Sequence, residues 1–231
     1  MGELISPSHL NKRSELARLI DHTILKPIAT YADIDLLCDE ALKYNFWGVC
    51  VNPCHVKQAA RRLVGSSTVV CSVVSFPFGA TATGVKLMET RGAIADGARE
   101  IDMVSNIGAL KSGDTRAYFD DINEVAAYCG RYDTVLKVII ECCYLTDEEK
   151  VSAARIAEQA GANFVKTSTG YGTGGATAED VALLRKSLSS RTGVKAAGGI
   201  GTLAKTLEMI RAGAARIGTS SGSKIMAELP E

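Results

Sequence analysis

The hydrophobic and polar residues of this chain follow two alternating patterns from one end to the other. Short runs rich in apolar and β-branched residues, typical of buried strands, are separated by longer segments with apolar residues at helical spacing. In the segment 31–44, Ile34, Leu37 and Ala41 would share one helical face, together with Leu42. The eight strand-like runs are IDHTIL, GVCVNP, VVCSVVSFP, EIDMVSNIG, TVLKVIIEC, NFVKTST, GVKAAGGI and RIGTSS.

Helices are predicted between these runs, near residues 9–19, 31–44, 53–63, 82–96, 115–129, 147–160, 177–189 and 202–211, with a short helical tail in SKIMAEL. Regular alternation of strands and helices predicts an α/β fold with a parallel sheet covered by helices. Eight such units favour a closed (β/α)8 TIM barrel, a single domain over residues 1–231 with an extra N-terminal helix. An open doubly wound sheet is the alternative, but no GxGxxG follows the first strand.

Composition narrows the classes of function. Hydrophobic residues make up 46% of the chain and charged residues 23%, as in ordinary globular proteins. Basic and acidic residues each number 26, so no net charge favours nucleic acid or an anionic membrane as a partner. No apolar run approaches the length of a membrane-spanning helix. Seven cysteines without a disulfide-like spacing, and no signal-like N-terminus, predict a reduced cytoplasmic protein.

Four charged residues inside the predicted strands give the strongest signal in the sequence. Asp102 lies in EIDMVSN, Lys137 in VLKVIIE, Lys166 in NFVKTST and Lys195 in GVKAAGG. The three lysines follow one another at intervals of 29 residues, which predicts similar heights on successive strands. A single strand lysine most often keeps its ammonium in water, but three at equal intervals in apolar strands favour a charged network. In a barrel, the C-terminal ends of the strands converge on one site.

Such a network suits amine chemistry. Lysine has an ordinary pKa of about 10.4, so at neutral pH it is a non-nucleophilic ammonium. Burial and a neighbouring cation favour the free amine, which attacks a carbonyl to form a Schiff base. Lys166 as nucleophile, Lys195 as the perturbing cation and Asp102 as the proton shuttle fit this chemistry. Lys137 would hold Asp102 ionised or contact a substrate hydroxyl. Spacing alone leaves open which lysine attacks.

Three glycine-rich loops follow the late strands: STGYGTGG (168–175), AAGGIGT (196–202) and GTSSGS (218–223). Backbone N–H groups in glycine turns bind phosphate well. In barrels the phosphate site commonly lies on the loops after strands seven and eight, which are the last two here. A phosphate-bearing substrate is therefore expected, although glycines also serve turn geometry alone and the serines of SSGS also suit a helix N-cap.

Other motifs are weaker. Cys50, Cys54 and His55 in CVNPCH have a C-x3-C-H spacing without a second ligand pair, so no metal site is predicted. His22, next to Asp21, is interpreted as a structural hydrogen-bonding residue.

The motifs together resemble the deoxyribose-phosphate aldolase family. The matching stretches are LIDHTILKP, GVCVNP, FPFGATATGVK, GAREIDMVSNIGALKSG, VLKVIIE, FVKTSTGYGTGGAT, VKAAGGI and RIGTSSG, from about residue 19 to residue 222. The combination of EIDMV, FVKTSTG and KAAGGI is specific. The resemblance implies a cofactor-free class I aldolase of deoxyribonucleotide catabolism. Such an enzyme reversibly cleaves 2-deoxy-D-ribose 5-phosphate to acetaldehyde and D-glyceraldehyde 3-phosphate through a lysine Schiff base.

The resemblance also implies roles for individual residues. Lys166 is implied to form the Schiff base, Lys195 to tune it and Asp102 to transfer the proton. Pocket and phosphate-binding roles fall on Asp21, Thr23, Cys50, Lys137, Gly170, Gly198, Gly199, Gly218, Ser220 and Ser221. A homo-oligomer, dimer or tetramer, is expected by the same resemblance, with small sugar phosphates and aldehydes as the binding partners.

Two positions depart from the family pattern. Gly201 stands where an arginine is usual after KAAGGI, and Ser75 stands where a glycine is usual before FP. The missing arginine predicts a weaker preference for a phosphate-bearing substrate. Two other functions compete: a pyridoxal-phosphate-dependent barrel, which also needs a lysine and a phosphate cradle, and a non-catalytic sugar-phosphate-binding barrel.

Overall fold

Eight parallel strands close into a barrel in chain order in the computed structural model, which describes residues 13–229. The strands are β1 (Ile20–Ile24), β2 (Gly48–Val51), β3 (Val69–Val74), β4 (Glu100–Val104), β5 (Val135–Ile139), β6 (Phe164–Lys166), β7 (Gly193–Ala197) and β8 (Arg216–Thr219). β1 pairs with both β2 and β8, which closes the barrel. The predicted (β/α)8 barrel is confirmed, and the open sheet is excluded.

Helices cover the outside of the barrel. They are α1 (Arg13–Ala17), α2 (Tyr31–Tyr44), α3 (Val56–Arg62), α4 (Thr83–Ala95), α5 (Ile107–Lys111), α6 (Thr115–Arg131), α7 (Asp147–Gln159), α8 (Ala178–Ser187), α9 (Leu203–Arg211) and α10 (Gly222–Ala227). Short 3₁₀ turns occupy Pro53–His55 and Cys142–Tyr144. The extra N-terminal helix is present as α1, and residues 9–12 of the predicted helix 9–19 lie outside the described residues. Within residues 13–229, no helix is long and apolar enough to cross a membrane.

Local sequence signals explain where the longer helices begin. The Thr30 side chain accepts from the Asp33 N–H while Asp33 accepts from the Thr30 N–H, which is a capping box at the start of α2. Thr146 and Glu149 form the same reciprocal pair at the start of α7. These caps satisfy backbone N–H groups that the first helical turn leaves without partners. The predicted start of α2 at residue 31 is therefore confirmed.

The apolar core lies between the barrel and its helices, and the barrel interior holds a cluster of charged side chains. Outward strand residues such as Ile101, Val138 and Val194 are fully buried under the helices. The inward positions alternate with them, since successive strand side chains point to opposite faces. Asp102 and Lys137 are inward and also fully buried. Most barrels fill this interior with branched apolar layers, so a charged filling is evidence of a functional interior.

Strand register corrects one expectation about the lysines. Lys166 is paired in register with Lys195, as the equal spacing predicts. Lys137, however, is in register with Phe164, two residues before Lys166, and with Asp102 on the other side. Lys137 therefore lies deeper in the barrel than Lys166. Equal sequence spacing did not give equal height because the strand stagger in a closed barrel is independent of segment length.

Candidate active site

Lys166 lies at the C-terminal mouth of the barrel against one carboxylate. It is the last residue of β6, and its Nζ donates to Asp102 Oδ2 at 2.8 Å. Lys195 Nζ donates to the same oxygen at 2.7 Å. All three residues are at most 2% exposed. The structure thus brings the predicted nucleophile, tuning lysine and proton shuttle into direct contact.

Two further predicted residues extend this cluster downwards. Lys137 Nζ donates to the other oxygen of Asp102, Oδ1, at 2.8 Å, and lies 3.8 Å from Asp21 Oδ2. Asp21 in turn accepts a hydrogen bond from Lys195. Lys137 therefore holds Asp102 from below, as one of its two predicted roles requires.

Two charged residues of this network were not anticipated from the sequence. Arg216 Nη1 donates to Asp21 Oδ1 at 2.9 Å and to Glu100 Oε2 at 3.1 Å. Glu100 Oε2 also lies 2.6 Å from Lys137 Nζ. The pattern held a signal for both residues. Glu100 stands two positions before Asp102, and Arg216 two before Gly218, so alternation along β4 and β8 turns both inward.

The electrostatics of the cluster fix two protonation states. Burial alone would raise the pKa of Asp102, but the ammonium groups of Lys137, Lys166 and Lys195 outweigh it and hold that pKa well below its usual range. Burial alone would lower the pKa of Lys195, but Asp102 and Asp21 outweigh that effect and raise it. At neutral pH, Asp102 is therefore a carboxylate and Lys195 an ammonium.

The cations differ in how many carboxylates they contact. Lys137 is paired with three carboxylates, and Lys195 and Arg216 with two each. Among residues 13–229, Lys166 is paired with Asp102 alone. Lys166 consequently loses the fewest ion pairs on giving up its proton.

Two thiols line the same interior. Cys50 and Cys71 are neighbours in register on β2 and β3, and Cys71 Sγ donates to Asp102 Oδ1 at 3.1 Å. Burial, a hydrogen bond with Cys50 and the charge of Asp102 raise the pKa of Cys71 well above its ordinary value, so Cys71 is a thiol donor. Its contact with Asp102 was missed from the sequence.

These thiols also bear on metal binding. Sγ of Cys50, Sγ of Cys71 and a carboxylate oxygen of Asp102 lie within 4.8 Å of one another. The Lys137 ammonium, however, lies 3.4 Å from Cys71 Sγ and 2.8 Å from Asp102 Oδ1. A metal ion in contact with these two ligands would lie beside that ammonium, so charge repulsion disfavours binding. Cys54, by contrast, is exposed.

Glycine loops line the side of the mouth formed by β6 and β7. Gly170, Gly198 and Gly199 have φ angles of 87°, 88° and 74°, in the left-handed region that glycine adopts without strain. A Cβ at Gly175 would lie 2.4 Å from the carbonyl oxygen of Gly198, so the two loops pack backbone to backbone. The predicted Gly170, Gly198 and Gly199 therefore lie together at one side of the mouth.

The loop after β8 completes this side of the mouth, but Gly218 belongs to the strand and not to the loop. Ser220 is exposed, and the Ser221 N–H donates to Thr219 Oγ1 at 2.9 Å. Thr219 Oγ1 donates to the Ile200 carbonyl at 2.6 Å, which ties this loop to the loop after β7. Gly218 lies lower, within β8, where a Cβ would come 3.0 Å from Lys195 Cε. The absence of a side chain at Gly218 leaves space for the Lys195 side chain.

The loop after β6 crosses the mouth and is held at two points. Glu141, with φ 55°, accepts from the Thr169 N–H at 3.1 Å. The Tyr171 hydroxyl donates to the Leu25 carbonyl, just after β1, at 2.8 Å. The Tyr171 ring also meets Phe76 edge-on at 5.3 Å between centroids. These residues shelter the mouth above Lys166, and Glu141 and Tyr171 were not anticipated from the sequence.

Three other predicted positions are also accounted for. Thr23, on β1, is partly exposed, and its Oγ1 donates to the Asp21 carbonyl. His22 lies on the outer face of the barrel, where its Nε2 is 2.6 Å from Glu40 Oε2, which confirms its structural interpretation. Ser75 has φ 51°, so it takes the left-handed conformation that a glycine there would adopt freely.

Comparisons with known proteins identify the family of this chain. The family model described as DeoC/LacD family aldolase matches residues 15–228. The deoxyribose-phosphate aldolase of Thermococcus kodakarensis is 56% identical over 224 residues, which cover 96% of this chain and 100% of that protein. That of Carboxydothermus hydrogenoformans is 54% identical over 215 residues, 92% of this chain and 94% of that one.

A solved structure gives the same result in three dimensions. The deoxyribose phosphate aldolase from Aeropyrum pernix, described as having a unique tetrameric structure, superposes with a TM-score of 0.89 at 32% identity. The match covers 95% of this chain and 93% of that one. The match to the family model and relatives that share more than half of their aligned residues show that this chain belongs to the DeoC/LacD family of aldolases.

Proposed function

We propose that this protein reversibly cleaves 2-deoxy-D-ribose 5-phosphate to acetaldehyde and D-glyceraldehyde 3-phosphate, as a class I aldolase with an imine on Lys166. The names of the relatives from Thermococcus kodakarensis and Carboxydothermus hydrogenoformans support the reaction. The observation that carries the imine is the contact of Lys166 and Lys195 with one oxygen of Asp102. An amine, a lasting neighbouring cation and a carboxylate are the groups that imine chemistry needs.

Lys166 is the nucleophile on two grounds. Its end-of-strand position places it nearest the C-terminal face, where barrel enzymes bind substrate. It is also the lysine that sacrifices the fewest ion pairs in its neutral form. The structure thus supports, on physical grounds, the choice that sequence spacing left open.

The reaction then follows from these groups. The neutral Nζ of Lys166 attacks the C1 aldehyde of the open-chain sugar, and loss of the C1 oxygen as water, with one proton taken up from solvent, gives a protonated imine. Asp102, directly or through a water, receives the proton of the C3 hydroxyl while the C2–C3 bond breaks. The bonding electrons pass into the imine to form an enamine, and glyceraldehyde 3-phosphate leaves. Protonation of the enamine at C2 and hydrolysis of the imine release acetaldehyde and restore Lys166.

The glycine loops receive the phosphate group. Gly170, Gly198 and Gly199 present backbone at one side of the mouth, and Ser220 and Ser221 follow on the adjoining loop. Backbone N–H groups in such turns bind phosphate oxygens.

A discontinuous assay tests the function. The protein is first treated with hydroxylamine and dialysed to remove any pyridoxal phosphate, then given 2-deoxy-D-ribose 5-phosphate. Appearance of acetaldehyde and glyceraldehyde 3-phosphate in equal amounts, without added cofactor, is the expected result. Activity that returns only on adding pyridoxal phosphate would favour the cofactor-dependent alternative. Binding of the sugar phosphate without turnover would favour the non-catalytic one.

Gly201 offers a test of the phosphate site. A Cβ there would lie 3.8 Å from Ser221 Oγ, so there is room for a side chain. We expect Gly201→Arg to lower the KM for deoxyribose 5-phosphate about tenfold with kcat little changed, because an arginine–phosphate hydrogen bond contributes roughly 1.5–3 kcal/mol. The unphosphorylated sugar and the neutral variant Gly201→Gln are the controls. Equal changes in KM for both sugars would place the phosphate elsewhere.

We also propose that the protein is a homo-oligomer, a dimer or tetramer. The tetrameric structure described for the relative from Aeropyrum pernix supports this. Sedimentation equilibrium of the purified protein measures the state directly, and a monomer at micromolar concentration would contradict the proposal.

A further inference from the structure

Arg216 lies at the closed end of the barrel, away from the mouth. It is the first residue of β8, and its guanidinium lies 4.3 Å from the ring centre of Trp47. Trp47 Nε1 donates to Glu100 Oε1 at 2.7 Å, and Glu100 is the first residue of β4. Arg216 itself donates to Asp21 and Glu100. An arginine in these contacts is held in one geometry and cannot leave for solvent.

The charges around Lys166 can be named completely for the barrel interior. The titratable and charged residues that share the barrel interior with Lys166, all at most 5% exposed, are Asp21 on β1, Cys50 on β2, Cys71 on β3, Glu100 and Asp102 on β4, Lys137 on β5, Lys195 on β7 and Arg216 on β8. Just beyond β5, Glu141 is turned towards Thr169 instead. Apart from the two thiols, the network holds three carboxylates against four cations when Lys166 is charged.

Cations therefore outnumber carboxylates by one, and without Arg216 the two would be equal in number. Burying unbalanced charge is costly, and the network becomes neutral when one lysine gives up its proton. Lys137 and Lys195 are each bound by two or more carboxylates, whereas Lys166 is bound by Asp102 alone among residues 13–229. Lys166 is consequently the lysine whose neutral form leaves the fewest carboxylates without a cation.

We propose that Arg216, with Glu100 as its opposing charge, is a positioning residue that sets this excess and so favours the neutral amine of Lys166. Arg216 touches no substrate in this scheme. It acts through Asp21, which it holds against Lys195, and through the net charge of the interior. The inference rests on the proposed function, since it concerns the imine-forming lysine.

The two members of this pair have opposite expected effects on the pH profile. Removing the cation in Arg216→Gln balances the network with Lys166 charged. The rising limb of the kcat/KM profile is therefore expected about 1 pH unit higher. Removing the anion in Glu100→Gln increases the excess of positive charge, so the same limb is expected at lower pH. Arg216→Lys retains the charge and keeps the limb near its original position. A purely structural pair would lower activity in both variants without moving the limbs apart.

The experiment measures kcat/KM for deoxyribose 5-phosphate and the rate of acetaldehyde trapping by cyanoborohydride, both from pH 5 to 10, in all three variants. Circular dichroism verifies folding. Limbs that move apart in the expected directions support the proposal, and limbs that stay in place or move together overturn it. If Arg216→Gln does not fold, the isosteric Glu100→Gln decides alone, and an unmoved or raised limb overturns the proposal. Failure of the unaltered protein to form any adduct would instead contradict the proposed function.

Discussion

Replacing Lys166 by methionine is expected to lower kcat at least about 10⁴-fold while the barrel stays folded. Methionine approximates the length and packing of the lysine stem but offers no amine for the imine. The charge network permits the substitution, because Lys166 contributes the excess cation and contacts only Asp102 among the charged residues of the described chain. Steady-state cleavage of deoxyribose 5-phosphate measures the first effect, and thermal unfolding measures the second.

Lys86 provides a matched control for this variant. It is also fully buried, but its Nζ contacts Asp121 at 2.6 Å between α4 and α6, outside the barrel interior. Lys86→Met leaves Asp121 without its cation, so we expect a loss of about 3–5 kcal/mol in the free energy of unfolding. Its kcat, measured well below the melting temperature, should stay near that of the unaltered protein. A Lys166→Met variant that retained substantial kcat would eliminate Lys166 as the nucleophile.

Replacing Asp102 by asparagine is expected to lower kcat about 10²- to 10⁴-fold, the range typical of a lost proton-transfer group. Asparagine keeps the size of the side chain and one oxygen for the lysines. It removes the base for the C3 hydroxyl and the negative charge shared by Lys137, Lys166 and Lys195. The imine should still form on Lys166, because losing an anion does not favour the ammonium. The step that fails is cleavage of the C2–C3 bond.

Comparing two measurements on Asp102→Asn separates these steps. Single-turnover trapping with borohydride should still give an adduct, while steady-state release of glyceraldehyde 3-phosphate should fall. If release stayed within tenfold of the unaltered protein, Asp102 would not be the proton shuttle. If no adduct formed, its principal role would be in imine formation.

Much of the fold could be predicted because its signals are local. The helix at 31–44 has both a periodic apolar face and the Thr30 cap, and its predicted bounds match α2. The short helix Ile107–Lys111 and the turn Cys142–Tyr144 were missed. Each is about one turn long, too short to show a helical period. Their conformations depend on neighbouring strand ends, which sequence patterns do not reveal.

The residues of the site also divide into those that sequence patterns reveal and those that only the closed barrel brings together. Lys166, Lys195 and Asp102 were identified because charged residues in apolar strands are conspicuous, and the family resemblance assigned their roles. The predicted height of Lys137 was wrong, because strand stagger is a property of the closed barrel and not of the sequence spacing. Arg216 and Glu100 stand at strand starts, where charged residues ordinarily face solvent. Only barrel closure places them together beneath Asp21.

The most direct test of the proposed mechanism is to locate the imine. The protein is incubated with acetaldehyde or deoxyribose 5-phosphate, reduced with borohydride, digested and mapped by peptide mass spectrometry. We predict one adduct, on Lys166, in the peptide that contains FVKTSTGYGTGG, with Lys166→Met as the negative control. An adduct on Lys195 or Lys137 instead, or no adduct from a protein that cleaves the sugar, would contradict it.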